Sequence, residues 1–261
     1  MNRREYADAI AARWYDLFGP SRAEVPMGVL ATAAMRQHLH LAPWSPGRDT
    51  TTDLFVVEHK RVWMRADEMW PYLSHRWGQY TECFQWPNAE QVTSAARTFA
   101  ADLTAMGVLE HFTALTHGCD FLGAVLHRLL HPFGGAPPAD PLRGLVISPS
   151  ELDRVNRTAV FRVDGAGTGA DQVLPLAVAL RGQGEQVSGR QWHLRETHEF
   201  RAAVLAVNAA CWGLADPRRP NVLVAVSEDP DWVEAEREEQ AEAIARIYGP
   251  PGALSLPADR S

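Results

Sequence analysis

The 261-residue sequence predicts an α/β or α+β fold: an N-terminal α-rich module around a small sheet, then a C-terminal β/α module. Three observations carry this expectation. Apolar residues recur at helical spacing through much of the first 130 residues. A proline- and glycine-rich stretch, "HPFGGAPPADPLRG" at 131–144, then interrupts the chain. Beyond it, short apolar runs alternate with helical segments, as βα units do. The expected division is therefore a module over 1–130, a linker or long loop over 131–150, a β/α module over 151–248, and a frayed tail over 249–261.

Taken in order, residues 3–18 place Tyr6, Ile10, Trp14 and Leu17 near 3.6 spacing and stop at Gly19-Pro20, an amphipathic helix. Residues 26–37 form a second helix, rich in small residues. Residues 39–44 are expected as a short strand before the turn "SPGRD". Residues 54–64 are an apolar run read as the main strand of this half. Residues 66–77 are expected as helix and 80–86 as extended chain. Residues 88–106 predict a helix, with Asn88 as N-cap and Gly107 beyond its end. Residues 109–130, apolar on most sides, predict a buried helix. In the second half a strand over 158–163 leads into "DGAGTGAD", a helix to Arg181 and the extended "EQVSGRQWHL". A helix over 199–212, a strand over 222–226 and a charged helix over 232–248 complete the reading.

With 46% hydrophobic and 22% charged residues, the composition is that of an ordinary globular chain. A net charge of −7 argues against nucleic-acid binding by bulk charge, though not against a local basic groove. The N-terminus lacks the apolar core of a signal peptide, and no long apolar run predicts a membrane partner. Cys83, Cys119 and Cys211 are far apart and odd in number, which fits a cytoplasmic location. Among 25 basic residues Lys60 is the only lysine, so a compact ammonium is retained where arginine serves everywhere else.

Lys60 belongs to "TTDLFVVEHKRVWM" (51–64), with Asp49 and Asp53 at or just before its start. On a strand, Glu58 and Lys60 share a face. Glu58 and Asp49 would hold Mg²⁺, an oxygen-seeking ion, and Lys60 would stabilise charge on a phosphate. An acid followed by Glu-x-Lys on a strand resembles the site of the PD-(D/E)xK nuclease superfamily, over roughly residues 1–100. The resemblance implies a metal-dependent nuclease with Asp49, Glu58 and Lys60 as its catalytic residues. Arg61, Trp63, Arg65, Trp70, Arg76 and Trp77 cluster nearby in sequence, a basic and aromatic patch suited to stacking nucleic-acid bases. The plainer reading is a buried strand emerging into solvent through "EHKR".

A second motif lies at Gly165, Gly167 and Ala170, a G-x-G-x-x-A run between an expected strand and helix. It resembles the first motif of Rossmann-like S-adenosylmethionine methyltransferases, and "VLVAVSEDPDW" (222–232) is similar to the D-P-P-[YW] loop of amino-methyltransferases. The resemblance implies a nucleotide or S-adenosylmethionine binder, of degenerate type. It departs from the pattern in two places. The expected end of the second strand carries Arg190 or Gln191 instead of an acid, and Asp231 replaces the second proline. Glycines in a plain β-connection and Asp229-Pro230 as a helix start account for the same residues. His127 and His131, at i and i+4, have metal-ligand spacing, or are two histidines favoured by a helix C-terminus. A third possibility is a non-catalytic interaction protein in which both motifs are scaffolding.

Overall fold

The computed structural model describes residues 2–42, 44–85, 89–116, 118–131 and 159–249. Helix α1 (Arg3–Phe18) opens with a capping box, the Asn2 side chain accepting from the Glu5 N–H while the Glu5 carboxylate accepts from the Asn2 N–H. It buries Ala7, Ile10, Ala11 and Trp14, the stripe the spacing predicts. Helix α2 (Glu24–His38) is buried at every residue from Glu24 to Arg36. Gly28, Ala31, Ala33 and Ala34 let neighbours approach it closely; a Cβ at Gly28 would lie 3.3 Å from the Tyr80 carbonyl oxygen.

The strand expected over 54–64 is instead part of helix α3 (Thr52–Met69). The Thr51 hydroxyl caps it by accepting from the Leu54 N–H. Its buried residues are Phe55, His59, Val62, Trp63 and Ala66, spaced as one helical face. Two adjacent valines at 56 and 57 suit a strand locally, but packing against α2 selects the helical period. The strand expected at 39–44 is likewise absent among the described residues, because α2 closes through His40 in a left-handed conformation (φ 53°). Residues 80–86, expected extended, are helical as far as 85, in α5 (Gln79–Glu82) and a 3₁₀ turn. A break at Trp70-Pro71 separates α3 from the short α4 (Ser74–Trp77), where the sequence predicts one helix. Helix α6 (Ala89–Ala105) follows, and the proposed Asn88 cap lies outside the described residues. The long buried helix expected at 109–130 is two: α7 (Phe112–Thr116) and α8 (Phe121–Leu130), the latter capped by Asp120. The N-terminal half therefore holds no strand among its described residues.

All three strands lie in the C-terminal half. β1 (Val160–Asp164), α9 (Val173–Gly182), β2 (Gln191–Glu196), α10 (Glu199–Cys211), β3 (Val222–Val226) and α11 (Val233–Tyr248) alternate. The strands form a parallel sheet in the order β1-β2-β3, with Phe161 beside Trp192 and Trp192 beside Val222. Period-2 alternation puts Phe161, Val163, Trp192, Leu194, Val222 and Val224 on one face. Each such side chain, fully buried, contributes about 1.5–3 kcal/mol. On the other strand face, Leu223 and Ala225 pack with Trp232.

Helix α10 joins the halves. Ala202 to Ala210 are all buried, and the helix touches β2 and β3 as well as α2, α4 and α8. One continuous core thus runs from Ala7 to Val224. A second tie is ionic: Arg76 and His75 on α4 bond Glu236 on α11, a carboxylate 2% exposed. No described helix is long and apolar enough to cross a membrane.

Candidate functional site

A parallel sheet presents its ligand-binding edge at the carboxyl ends of its strands. Here that edge carries Asp164, Glu196 and Val226, with the glycine loop rising from β1. The loop is held from below, where the Ala166 N–H donates to the Arg195 carbonyl at 2.8 Å. From the side, the Gly167 N–H donates to Glu196 Oε2 at 2.7 Å. The other oxygen of Glu196 accepts from the His198 N–H at 3.1 Å, just before α10 begins. Glu196 is only 4% exposed, so these backbone donors replace the water its charge would otherwise hold.

Deeper in, Asp120 is fully buried and ties the loop to the helical half. It accepts from the Thr168 hydroxyl, from Asn208 Nδ2 at 2.8 Å and from the Gly123 N–H at 2.8 Å. Asn208 also donates to the Thr168 carbonyl at 2.8 Å. Burial pushes the Asp120 carboxyl up to about 6, against the opposing pull of these hydrogen bonds.

The three glycines do different work. A Cβ at Gly165 or Gly167 would meet nothing within 4 Å, although both residues have positive φ, so the space over this backbone is open. A Cβ at Gly169 would lie 2.7 Å from Trp212 and 3.0 Å from Leu205. Gly169, one residue before the alanine of the G-x-G-x-x-A reading, is therefore the glycine needed for close packing.

Glu196 is the residue that sequence reasoning missed. Strand β2 runs from Gln191 to Glu196, two residues beyond the expected extended segment, so the acid sought at Arg190 or Gln191 stands at its end. The signal was available in "QWHLRE", whose alternation carries Trp192, Leu194 and Glu196 to one face. The D-P-D-W segment is scaffolding by its contacts: Trp232 is 2% exposed, 5.7 Å from the Arg162 guanidinium and beside the His193 ring. Arg195 braces the same segment, donating to the carbonyls of Glu228 and Asp229 and to Asp164 Oδ1.

The Glu-x-Lys constellation does not assemble. On helix α3, Glu58 and Lys60 point about 160° apart around the axis. Glu58 Oε2 is held by Arg36 at 2.9 Å, and Arg61 stands 3.8 Å from Oε1. Lys60, Asp49 and Asp53 are exposed. His59 between them is a core residue, its two ring nitrogens bonded to Thr32 Oγ1 and the Tyr80 carbonyl at 2.9 Å each. Burial lowers its pKa to about 4. A Mg²⁺ site on Asp49 and Glu58 does not fit this arrangement, since arginine already occupies the glutamate.

The tryptophans of the expected stacking patch face the core. Trp63, Trp70 and Trp77 are at most 2% exposed and donate inward, to Thr32, the Ala215 carbonyl and Asp67. Among the described residues, the one group of three potential metal ligands is His75, Glu236 and Glu239, and Arg76 bonds both glutamates. His127 and His131 bring their rings to 4.7 Å, with no third ligand among the described residues. Compared with known proteins, the chain matches no family model, no curated protein and no solved structure.

Proposed function

We propose that the C-terminal β/α unit binds an adenosine-type cofactor of the S-adenosylmethionine class at the loop Gly165–Ala170, with Glu196 accepting from the ribose hydroxyls. The observation that carries this is the 2.7 Å bond from the Gly167 N–H to Glu196. It joins the glycine loop and the strand-end acid at the carboxyl edge of a parallel sheet, the two elements that recognise a nucleoside in this architecture. Open space above Gly165 and Gly167 gives the ligand its approach.

Charge favours S-adenosylmethionine over a dinucleotide. Gly167 already donates to a carboxylate, and Asp164 ends the neighbouring strand; the cations at this edge, Arg195 and Arg201, stand on Asp164 at 2.9 Å and by Glu196 at 4.0 Å. A pyrophosphate brought here would meet Glu196, whereas a sulfonium and an ammonium would be attracted.

Calorimetric titration of the full chain with S-adenosylmethionine, S-adenosylhomocysteine and NAD tests the reading. Both adenosyl ligands should bind, NAD should not, and Glu196→Ala should weaken binding by about tenfold or more. No heat from any ligand at millimolar concentration, or binding indifferent to Glu196→Ala, overturns it.

A further inference from the structure

A cleft of about 610 Å³ separates the helical half from α9 and α10, and none of residues 165–170 lines it. Its volume is that of a small-molecule site. Its apolar walls come from Phe121, Leu122, Leu174, Val178 and Trp212, while Gln37, His38, His40, Thr116, Arg181 and Asn208 supply the polar lining. Among the described residues no aspartate or glutamate lines it.

Two features of the lining bear on a ligand. Arg181 is an exposed residue in the last turn of α9, and its guanidinium makes no ion pair or hydrogen bond among the described residues, unlike those of Arg36, Arg76 and Arg195. Partial desolvation lowers its pKa. His40 holds the left-handed position after α2, with φ 53°, where glycine is the unstrained choice. An imidazole kept there at a cost of about 1 kcal/mol places a donor on the cleft.

The remaining titratable groups add no positive charge at neutral pH. His38 lies tilted against Trp70 at 5.4 Å, and burial followed by the nearby His40 lowers its pKa. Burial raises the Cys119 and Cys211 thiols to about 11 and about 12. Among the described lining residues Arg181 is thus the one permanent charge, which suits a single negative charge better than two.

The geometry points to a site for a small monoanion with an apolar body, an aryl or alkyl carboxylate, gripped by Arg181 with His40 as second donor. The proposal is independent of the nucleoside reading, because titrating a carboxylate alone decides it. The probes are 3-phenylpropionate, its neutral amide and phenyl phosphate, titrated calorimetrically into the full chain. The carboxylate should bind, and the amide of the same shape should bind at least ~10-fold more weakly. Arg181→Gln should lose the same factor while keeping the wild-type melting temperature. Val178→Trp fills the cleft at its rim and should abolish binding with Arg181 intact. Equal binding of carboxylate and amide, tighter binding of phenyl phosphate, no effect of either substitution, or no saturable binding at millimolar carboxylate overturns the proposal.

Discussion

Replacing Gly167 and Gly169 separately by alanine distinguishes a glycine kept for a ligand from one kept for packing. At Gly167 the new Cβ meets no atom within 4 Å, so the cost is backbone strain at φ 59°. For alanine in the left-handed region that strain is about 1 kcal/mol. At Gly169 φ is 100°, outside the well L-residues tolerate, and the Cβ would press on Trp212 at 2.7 Å and Leu205 at 3.0 Å. Leu205 is fully buried and Trp212 nearly so, leaving little room to yield. Overpacking of about 1–3 kcal/mol adds to backbone strain of about 1–3 kcal/mol, giving roughly 2–6 kcal/mol in total, near ~4 kcal/mol at mid-range. Urea unfolding reads stability, and calorimetry with S-adenosylmethionine reads binding per folded molecule. Gly167→Ala should lose about 1 kcal/mol and most of its affinity, because the Cβ intrudes on the ligand's approach. Gly169→Ala should lose several times as much stability, with its folded fraction binding within a few-fold of wild type. Wild-type affinity in Gly167→Ala, or the reverse ordering of the two stabilities, refutes the assignment of roles.

Glu58→Gln should lower stability by about 1 kcal/mol, since it unpairs Arg36, whose side chain is 10% exposed, while Lys60→Arg should change it by less than ~0.5 kcal/mol; urea titration of both checks this. Asp120 titrates at about 6 when folded and near 3.8 when unfolded, so the folded state holds its proton longer and stability falls as pH rises across that window. Asp120→Asn should therefore gain about 3 kcal/mol at pH 7.5 and nothing below pH 4, read as the difference between the two proteins' unfolding free energies. His59 has the opposite sign: neutral when folded down to about 4, it withdraws stability as pH falls from 6.5. In the Asp120→Asn protein this appears as an acid slope of about 3 kcal/mol between pH 6.5 and 4, and a flat profile there would contradict the His59 account.

The strands of the second half were legible because alternation and glycine punctuation coincide there. So was α1, whose apolar spacing has one periodicity. Residues 54–64 were not, because Leu54, Val57 and Met64 are exposed apolar residues that blur the helical face drawn by Phe55, His59, Val62 and Trp63. A buried histidine in that face also looks polar in sequence, though its bonds to Thr32 and Tyr80 make it part of the core. The glycine loop was found from spacing alone. Glu196 was lost by ending the extended segment at Leu194 and seeking its acid at 190 or 191; Asp120 shows locally only as the cap of α8, while Thr168 and Asn208 lie 48 and 88 residues away.

The burial of α10 has a consequence for synthesis. The apolar surfaces of α2, α4 and α8 that receive Ala202 to Ala210 are complete in sequence once α8 ends at Leu130. Their cover leaves the ribosome only with Cys211, roughly 80 residues later. At about 5–20 residues per second, the helical half waits on the order of 4–16 s without its keystone. During that interval it exposes an apolar surface of the kind that aggregates or recruits chaperones. The glycine loop, tied through Asn208 and Asp120, takes its shape only once α10 arrives, and β3 and α11 then complete the sheet side and the Arg76–Glu236 tie.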